Sequence, residues 1–362
     1  ANSDNDFDNV ADQTVTTTTT DDDVAGFTIA ESGGSTEVAE SGTTDTFTIV
    51  LAAQPASDVV LTITSSDTGE ATVTSTLTFT NANWDTPQTV TVTGVDDNII
   101  DGTISSTMTI TVDDANSDND FDNVADQTVT TTTTDDDVAG FTIAETGGST
   151  EVAESGTTDT FTVVLNAQPA SDVVLDITSS DTGEATVTGT LTFSPLNWNT
   201  PQTATVTGVD ENIIDGTISS TITVAVDDAN SDNDFDAVAD QTVTTTTTDD
   251  DVAGFTVAET NGSTEVAESG TTDTFTVVLD AQPASDVVLD ITSSDTGEAT
   301  VTSTMTFTDA NWDTPQTVTV TGVDDNLVDG TISSTVTVTV DDANSDNDFD
   351  AVADQTVTTT TT

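Results

Sequence analysis

Sixty-seven aspartates and glutamates stand in this chain of 362 residues without one lysine, arginine or histidine to oppose them. No side-chain salt bridge is open to it, and a compact state must hold a formal charge of -67 against its own repulsion. Such a chain is either disordered or neutralised by something it binds. In residues 21–134, Leu, Ile, Val and Phe number 26 of 114. That is about 23%, just above the roughly 20% below which disorder is the default. The arrangement of those residues decides for folding.

The same composition removes most chemistry. Without His or Cys there is no catalytic imidazole or thiol, no disulfide and no Cys/His zinc site. Without Lys there is no Schiff base and no lysine isopeptide. Without any basic residue there is no footprint for nucleic acid or for an anionic membrane. No basic signal-peptide region appears, and no apolar run is long enough to span a bilayer, so membrane insertion is not expected. Carboxylates, hydroxyls, amides and aliphatics remain. An enzyme built from these would need paired carboxylates, as glycosidases use. Here the acids fall on loops with no sign of a cleft, and the chain reads as non-catalytic.

Asp21-Asp22-Asp23 recurs at Asp135–Asp137 and at Asp249–Asp251, a period of 114 residues. Residues 21–134 and 135–248 differ at only 15 positions, among them Ile49 (Val163) and Asp97 (Glu211). Residues 1–20 are identical to 115–134 and read as the F–G loop and last strand of a preceding repeat. Three repeats follow, at 21–134, 135–248 and 249–362. The chain reads as a window on a longer array. At this length each repeat is large enough to have its own core.

Within a repeat, apolar residues alternate with Thr or Ser at period two, the mark of half-buried strands. Seven segments stand out in the first copy. They are A (27–38, broken at Gly33-Gly34), B (45–51), C (59–64), D (76–80), E (89–93), F (106–112) and G (128–134). Gly, Pro, Asn and Asp fill the gaps. The pattern predicts an all-β chain of tandem seven-stranded, immunoglobulin-like sandwiches, arranged as beads on a rod. Trp84, in the D–E connection, reads as a loop anchor on the core more readily than as a sugar-stacking residue.

Following strand direction brings the A–B, C–D and E–F links and the exit from G to one pole. These carry Glu37 and Glu40, Asp67 and Glu70, Asp96, Asp97 and Asp101, and Asp135–Asp137. Carboxylates gathered so closely cannot all stay ionised without a counter-charge. A hard cation with six to eight oxygen ligands supplies one, and calcium suits a flexible cluster better than magnesium. At the other pole the F–G link carries Asp118, Asp120 and Asp122, repeated at Asp232, Asp234 and Asp236. Their spacing is like the start of an EF-hand loop, but Asn123 stands at the glycine position and Val129 at that of the bidentate Glu. In each of these two copies the three are a second candidate cation cluster.

Four segments carry a family resemblance: Val38-Ala39-Glu40-Ser41, Ser66-Asp67-Thr68-Gly69, Val95-Asp96-Asp97-Asn98-Ile99-Ile100-Asp101-Gly102, and the Thr-rich strand closing on Asp135–Asp137. Each repeat resembles a Calx-beta domain, an immunoglobulin-like calcium-binding module of exchanger regulatory regions and long bacterial surface proteins. The resemblance implies calcium ligands at Glu40, Asp67, Asp96, Asp97, Asp101, Asp135, Asp136 and Asp137. In the second copy it implies Glu154, Asp181, Asp210, Glu211, Asp215, Asp249, Asp250 and Asp251. In the third it implies Glu268, Asp295, Asp324, Asp325 and Asp329, with no Asp run at Thr362. It also implies several ions at each repeat junction.

The reading that follows is an extracellular structural array, a calcium-stiffened shaft of a large cell-surface adhesin or filament. Its partners are calcium and neighbouring repeats, with identical chains in a filament as a further partner. Two alternatives are weighed with it. Residues 1–20 contain a whole strand G, which could join separate subunits by β-strand addition. The Thr runs, such as Thr16–Thr20, could form an ice- or carbohydrate-binding surface, although Thr is 28 of the 114 residues in the first repeat and runs on solvent-facing positions follow from that abundance.

Overall fold

A computed structural model of the chain describes residues 5–7, 9–328 and 330–362. The chain divides into two compact units, Ala1–Val138 and Ala139–Thr362. Among the described residues no helix is long and apolar enough to cross a membrane.

Among its described residues the first unit contains nine strands: β1 (Phe27–Glu31), β2 (Thr36–Ala39), β3 (Thr44–Leu51), β4 (Val59–Ser65), β5 (Ala71–Val73), β6 (Thr76–Phe79), β7 (Gln88–Gly94), β8 (Ile104–Val112) and β9 (Gln127–Thr134). One sheet has the order β1-β3-β7-β5 and the other β2-β9-β8-β4-β6. All pairings in them are antiparallel except β2 with β9. The second unit repeats this set twice, as β10–β18 (141–248) and β19–β27 (255–361).

Nine strands replace the seven expected, for two reasons. Segment A is two strands: Gly33 and Gly34 take φ of 78° and 93°, a left-handed backbone that breaks the strand. The chain thereby leaves β3 in one sheet and joins β9 in the other. The other addition, β5, is only three residues long and pairs with β7 through Ala71↔Gly94.

Alternation places one face of each sheet inward. Phe47 and Ile49 on β3 and Val90 and Val92 on β7 meet Leu61 and Ile63 on β4 and Met108 and Ile110 on β8 in one buried core. Gln127 Nε2 donates to the Phe27 carbonyl at 2.7 Å, tying the edge of one sheet to the other. Trp84 packs half-buried against this core, as an anchor would. The threonine run of β9 differs from the expected solvent-facing comb. Thr131 and Thr133 are fully buried, while Thr130 and Thr134 face out.

Candidate metal centre

Four links converge at one end of the first copy. Glu40 follows β2, and its amide donates to the Thr134 carbonyl at the end of β9. Glu70 immediately precedes β5, and its carbonyl accepts from Val95 at the end of β7. Asp101 lies between β7 and β8, and Asp135 and Asp137 follow β9. A Cβ on Gly94 would come within 2.0 Å of the Ala39 carbonyl oxygen. That backbone contact is closer than any side chain permits, and it brings the β7 end against the residue before Glu40.

The ligand oxygens form two groups that share one side chain. Glu40 groups with Asp135 and Asp137, and separately with Glu70 and Asp101. In the second copy Glu154 groups with Asp249 and Asp251, and separately with Glu184, Glu211 and Asp215. Within each group the oxygens lie within 4.8 Å of one another. Two such carboxylates, both ionised at that distance, repel by about 3 kcal/mol at an effective dielectric of about 20.

The electrostatics follow from that crowding. Burial, then the charges of Asp135, Asp97, Asp101 and Glu70, push the Glu40 carboxyl up from 4.5 to about 7. Burial, then Asp249, Glu184, Asp215 and Glu211, carry Glu154 to about 7 as well. Burial first and neighbouring carboxylates second also raise Glu70, Asp137, Glu184, Glu211 and Asp251. Asp101 and Asp215 keep exposed surface, yet partial desolvation and then their acidic neighbours raise them too.

Several buried oxygens here accept no hydrogen bond: Glu40 Oε2, Glu70 Oε2, Asp137 Oδ2, both oxygens of Glu154, Glu184 Oε2 and Asp251 Oδ2. A buried polar atom normally has a partner. Donor type and spacing suit a hard cation, since oxygens on opposite sides of an ion at about 2.4 Å stand about 4.8 Å apart. Asp135 has a further task. Its Oδ2 accepts from the Asp101 and Gly102 amides at 3.0 and 2.9 Å, and its Oδ1 from Asp137 at 2.7 Å. Asp249 repeats all three bonds in the second copy.

The other expected ligands stand differently. Asp67 Oδ1 accepts from Gly69 at 3.0 Å, and Asp181 and Asp295 do the same with Gly183 and Gly297. They brace the β4–β5 turn, and Glu70 and Glu184 from that turn enter the groups instead. Asp97 Oδ1 accepts from Ile99, while the longer Glu211 at the matching position reaches its group. Asp96, Asp136, Asp210 and Asp250 are exposed and outside the groups. In the third copy Glu268, Asp324 and Asp325 are not in a group among the described residues, and Asp329 lies outside those residues.

The F–G link owes its order to the protein itself. Asp118 Oδ2 accepts from Ala56 and Ser57, and its Oδ1 from Asp120 at the head of a 3-10 turn, Asn119–Phe121. Those bonds, the one from Ser57 first, hold its carboxyl below the usual range. Phe121 from the same turn is buried in the core. Asp118, Asp120 and Asp122 are not brought together as a ligand group, nor are Asp232, Asp234 and Asp236, where Asp232 repeats the cap.

No family model and no curated protein matches the chain. Solved structures do at low similarity. The calcium binding domain CBD12 of CALX1.1 is 14% identical, with 55% of this chain and 80% of that chain covered and a TM-score of 0.24. An I-band fragment of titin is 10% identical over 94% of this chain and 96% of that one, TM-score 0.27. Domains 4–9 of the surface layer protein SbsC are 18% identical over 92% and 49%, TM-score 0.25. Likeness at this level adds nothing to the architecture described above, an all-β chain of repeated two-sheet units.

Proposed function

We propose that the chain is a non-catalytic structural array whose repeats are stiffened by calcium, serving as the shaft of an extracellular filament or adhesin. One observation carries the reading. Glu40 and Glu154 are buried acids, each shared by two carboxylate groups and supplied with no cation by a chain that has none. Glu40, Glu70, Asp101, Asp135 and Asp137 would hold the ions in the first copy. Glu154, Glu184, Glu211, Asp215, Asp249 and Asp251 would hold them in the second. Bound calcium supplies the counter-charge that lets these acids ionise together.

The mechanical consequence comes from where the ligands sit in the chain. Asp249 and Asp251 belong to the link between β18 and β19, whereas Glu154 and Glu184 belong to the body of the second copy. An ion held by both fastens link to body and removes freedom from the joint. Without it, like charges on the two sides repel. Strand donation is the weaker reading, because in the third copy Gln355–Thr361 (β27) already fills the place of the last strand, paired with both neighbours. The deciding experiment is a calcium titration with stoichiometry per repeat, followed in parallel by the radius of gyration. Binding of two or more ions per repeat with extension of the particle supports the shaft. No binding, or binding with no change in dimensions, overturns it.

A further inference from the structure

Inside the second unit, the second copy lends a side chain to the core of the third. The lender is the link between β16 (Gln202–Gly208) and β17 (Thr217–Val226), and the borrower is the segment that follows β21 (Thr272–Leu279). The Gln282 amide donates to the Asn212 carbonyl at 2.7 Å, and the Gln282 carbonyl accepts from the Ile214 amide at 3.4 Å. Ile213 and Gln282 thereby form an isolated parallel bridge. Ile214 then packs half-buried against the third copy's core, as Ala253 from the chain entering that copy also does. The seat is held from below: Ala281 is buried, and Gln282 Nε2 donates to the Asp309 carbonyl at 3.3 Å.

This contact differs in kind from the carboxylate groups. Asn212, Ile213, Ile214 and Gln282 carry no charge, and what joins them is backbone hydrogen bonding and apolar packing. Glu211 and Asp215 flank the plug and belong to a candidate ligand group, but the bonds that seat it need no ion. Two repeats joined by a single covalent link turn freely about it by default. A second attachment beside the Asp249–Gly254 link removes that rotation. In a repeat array the stability of each unit includes a term from its neighbour, and here Ile214 supplies one.

We infer that residues 212–214 are a coupling site for the following repeat, which stabilises the third copy and fixes it against the second without any ion. The inference stands apart from the calcium reading: ions would stiffen a joint that the plug already holds in register.

Two measurements on the full chain test it. The chain has no cysteine of its own, and residues joined by a β-bridge lie within the Cα separation that a disulfide spans. Ile213→Cys with Gln282→Cys leaves the backbone bonds in place and should oxidise within one chain at the same rate in chelator as in calcium. The comparison pair is Ile213→Cys with Thr300→Cys, an exposed site on β23 (Ala299–Val301), at the end of the third copy where β21 begins rather than ends. It should close about tenfold more slowly or less. Separately, Trp312, packed on the third core, reads that copy's urea unfolding in a background with Trp84→Phe and Trp198→Phe. In chelator, Ile214→Ser should raise the third copy's unfolding equilibrium constant about fivefold or more, as loss of a half-buried isoleucine requires. Val252→Ser, at an exposed site on the link, should leave it unchanged. Closure of the Ile213/Gln282 pair that needs calcium, or that is no faster than the comparison pair, overturns the inference. So does a Trp312 transition that Ile214→Ser moves no more than Val252→Ser does. Calcium titration of the parent chain reports on the ion reading alone, so either idea can fail while the other stands.

Discussion

Glu40→Gln should change the sign of its effect on stability according to whether calcium is present. A carboxyl carried from 4.5 to about 7 resists ionisation in the folded chain by about 3 kcal/mol. Its folded form binds more protons than the unfolded chain between those two values, so without metal stability falls as pH rises through that window. The full penalty is present above about 7 and is gone below 4.5. Glutamine cannot ionise and escapes it. Its amide brings some cost of its own, about 1 kcal/mol for an imperfectly matched buried group. Glu40 Oε2 already lacks a partner, and the new NH2 faces carboxylates able to accept from it. The expected net gain in chelator at pH 8 is about 2 kcal/mol, shrinking to less than about 1 kcal/mol at pH 5.

In calcium the same substitution removes the one ligand common to both groups of the first copy. Affinity there should fall at least tenfold, and with it the stabilisation that bound ion confers. Urea titrations read by Trp84 fluorescence in a background with Trp198→Phe and Trp312→Phe, in chelator and in calcium at pH 5 and pH 8, give all four values. A variant less stable than the parent in chelator at pH 8 would refute the account of Glu40 as a strained acid. A variant equal to the parent in saturating calcium would refute its role as a shared ligand.

Asp135→Asn should weaken calcium binding and also loosen the β7–β8 link, seen as faster amide exchange at Asp101 and Gly102 in the presence of chelator, where only the hydrogen bonds remain. Gly94→Ala forces a Cβ onto the Ala39 carbonyl and should cost more than about 3 kcal/mol, measured by urea unfolding, with loss of calcium binding in that copy. Asp118→Asn should lower the unfolding midpoint of the calcium-free protein while leaving calcium stoichiometry unchanged. The Asp118 carboxyl is held below its ordinary value, so its contribution is present at neutral pH and lost as pH falls through the acid range. Thr131→Val should raise stability by about 1 kcal/mol, because the Thr131 hydroxyl and that of its register partner Ser106 are buried without a hydrogen-bond partner.

What the residues disclose in advance is periodicity, and what they conceal is direction. Alternation on β3, β4, β7 and β8 is long enough to show which face is apolar, and each proves to be a strand. Ala71–Val73 is too short to show a period, and its pairing to Gly94 is a tertiary fact. The choice between Asp67 and Glu70 is of the same kind. Both lie in one turn, three residues apart, and only the folded backbone turns one toward Gly69 and the other toward Asp101. The substitution of Glu211 for Asp97 looks conservative in a linear comparison. In space, one added methylene carries a carboxylate into the group. Asp118 was legible as an acid in a loop, but its three amide donors come partly from residues about sixty positions away.

One comparison internal to the chain shows how little of a strand resides in its own residues. Gln13–Thr20 and Gln127–Thr134 have the same eight residues in the same order. The second is β9, with Val129 3% exposed and its Gln127 amide bonded across to Phe27. The first makes no strand, Val15 is 87% exposed, and the Gln13 amide reaches only to Ala11. Threonine and valine favour the extended backbone equally in both places, so propensity is not what differs. What differs is the presence of β8 on one side and β2 on the other, which supply the ladder and the buried face. The acids obey the same rule. Asp21 and Asp23 repeat the residues of Asp135 and Asp137 but line an open cavity, whereas Asp135 and Asp137 meet Glu40. In the first copy the strand and the carboxylates that follow it are placed by the same neighbours, β2 and β8, so under the calcium reading an ion held by Glu40, Asp135 and Asp137 would also hold down the strand that leads into them.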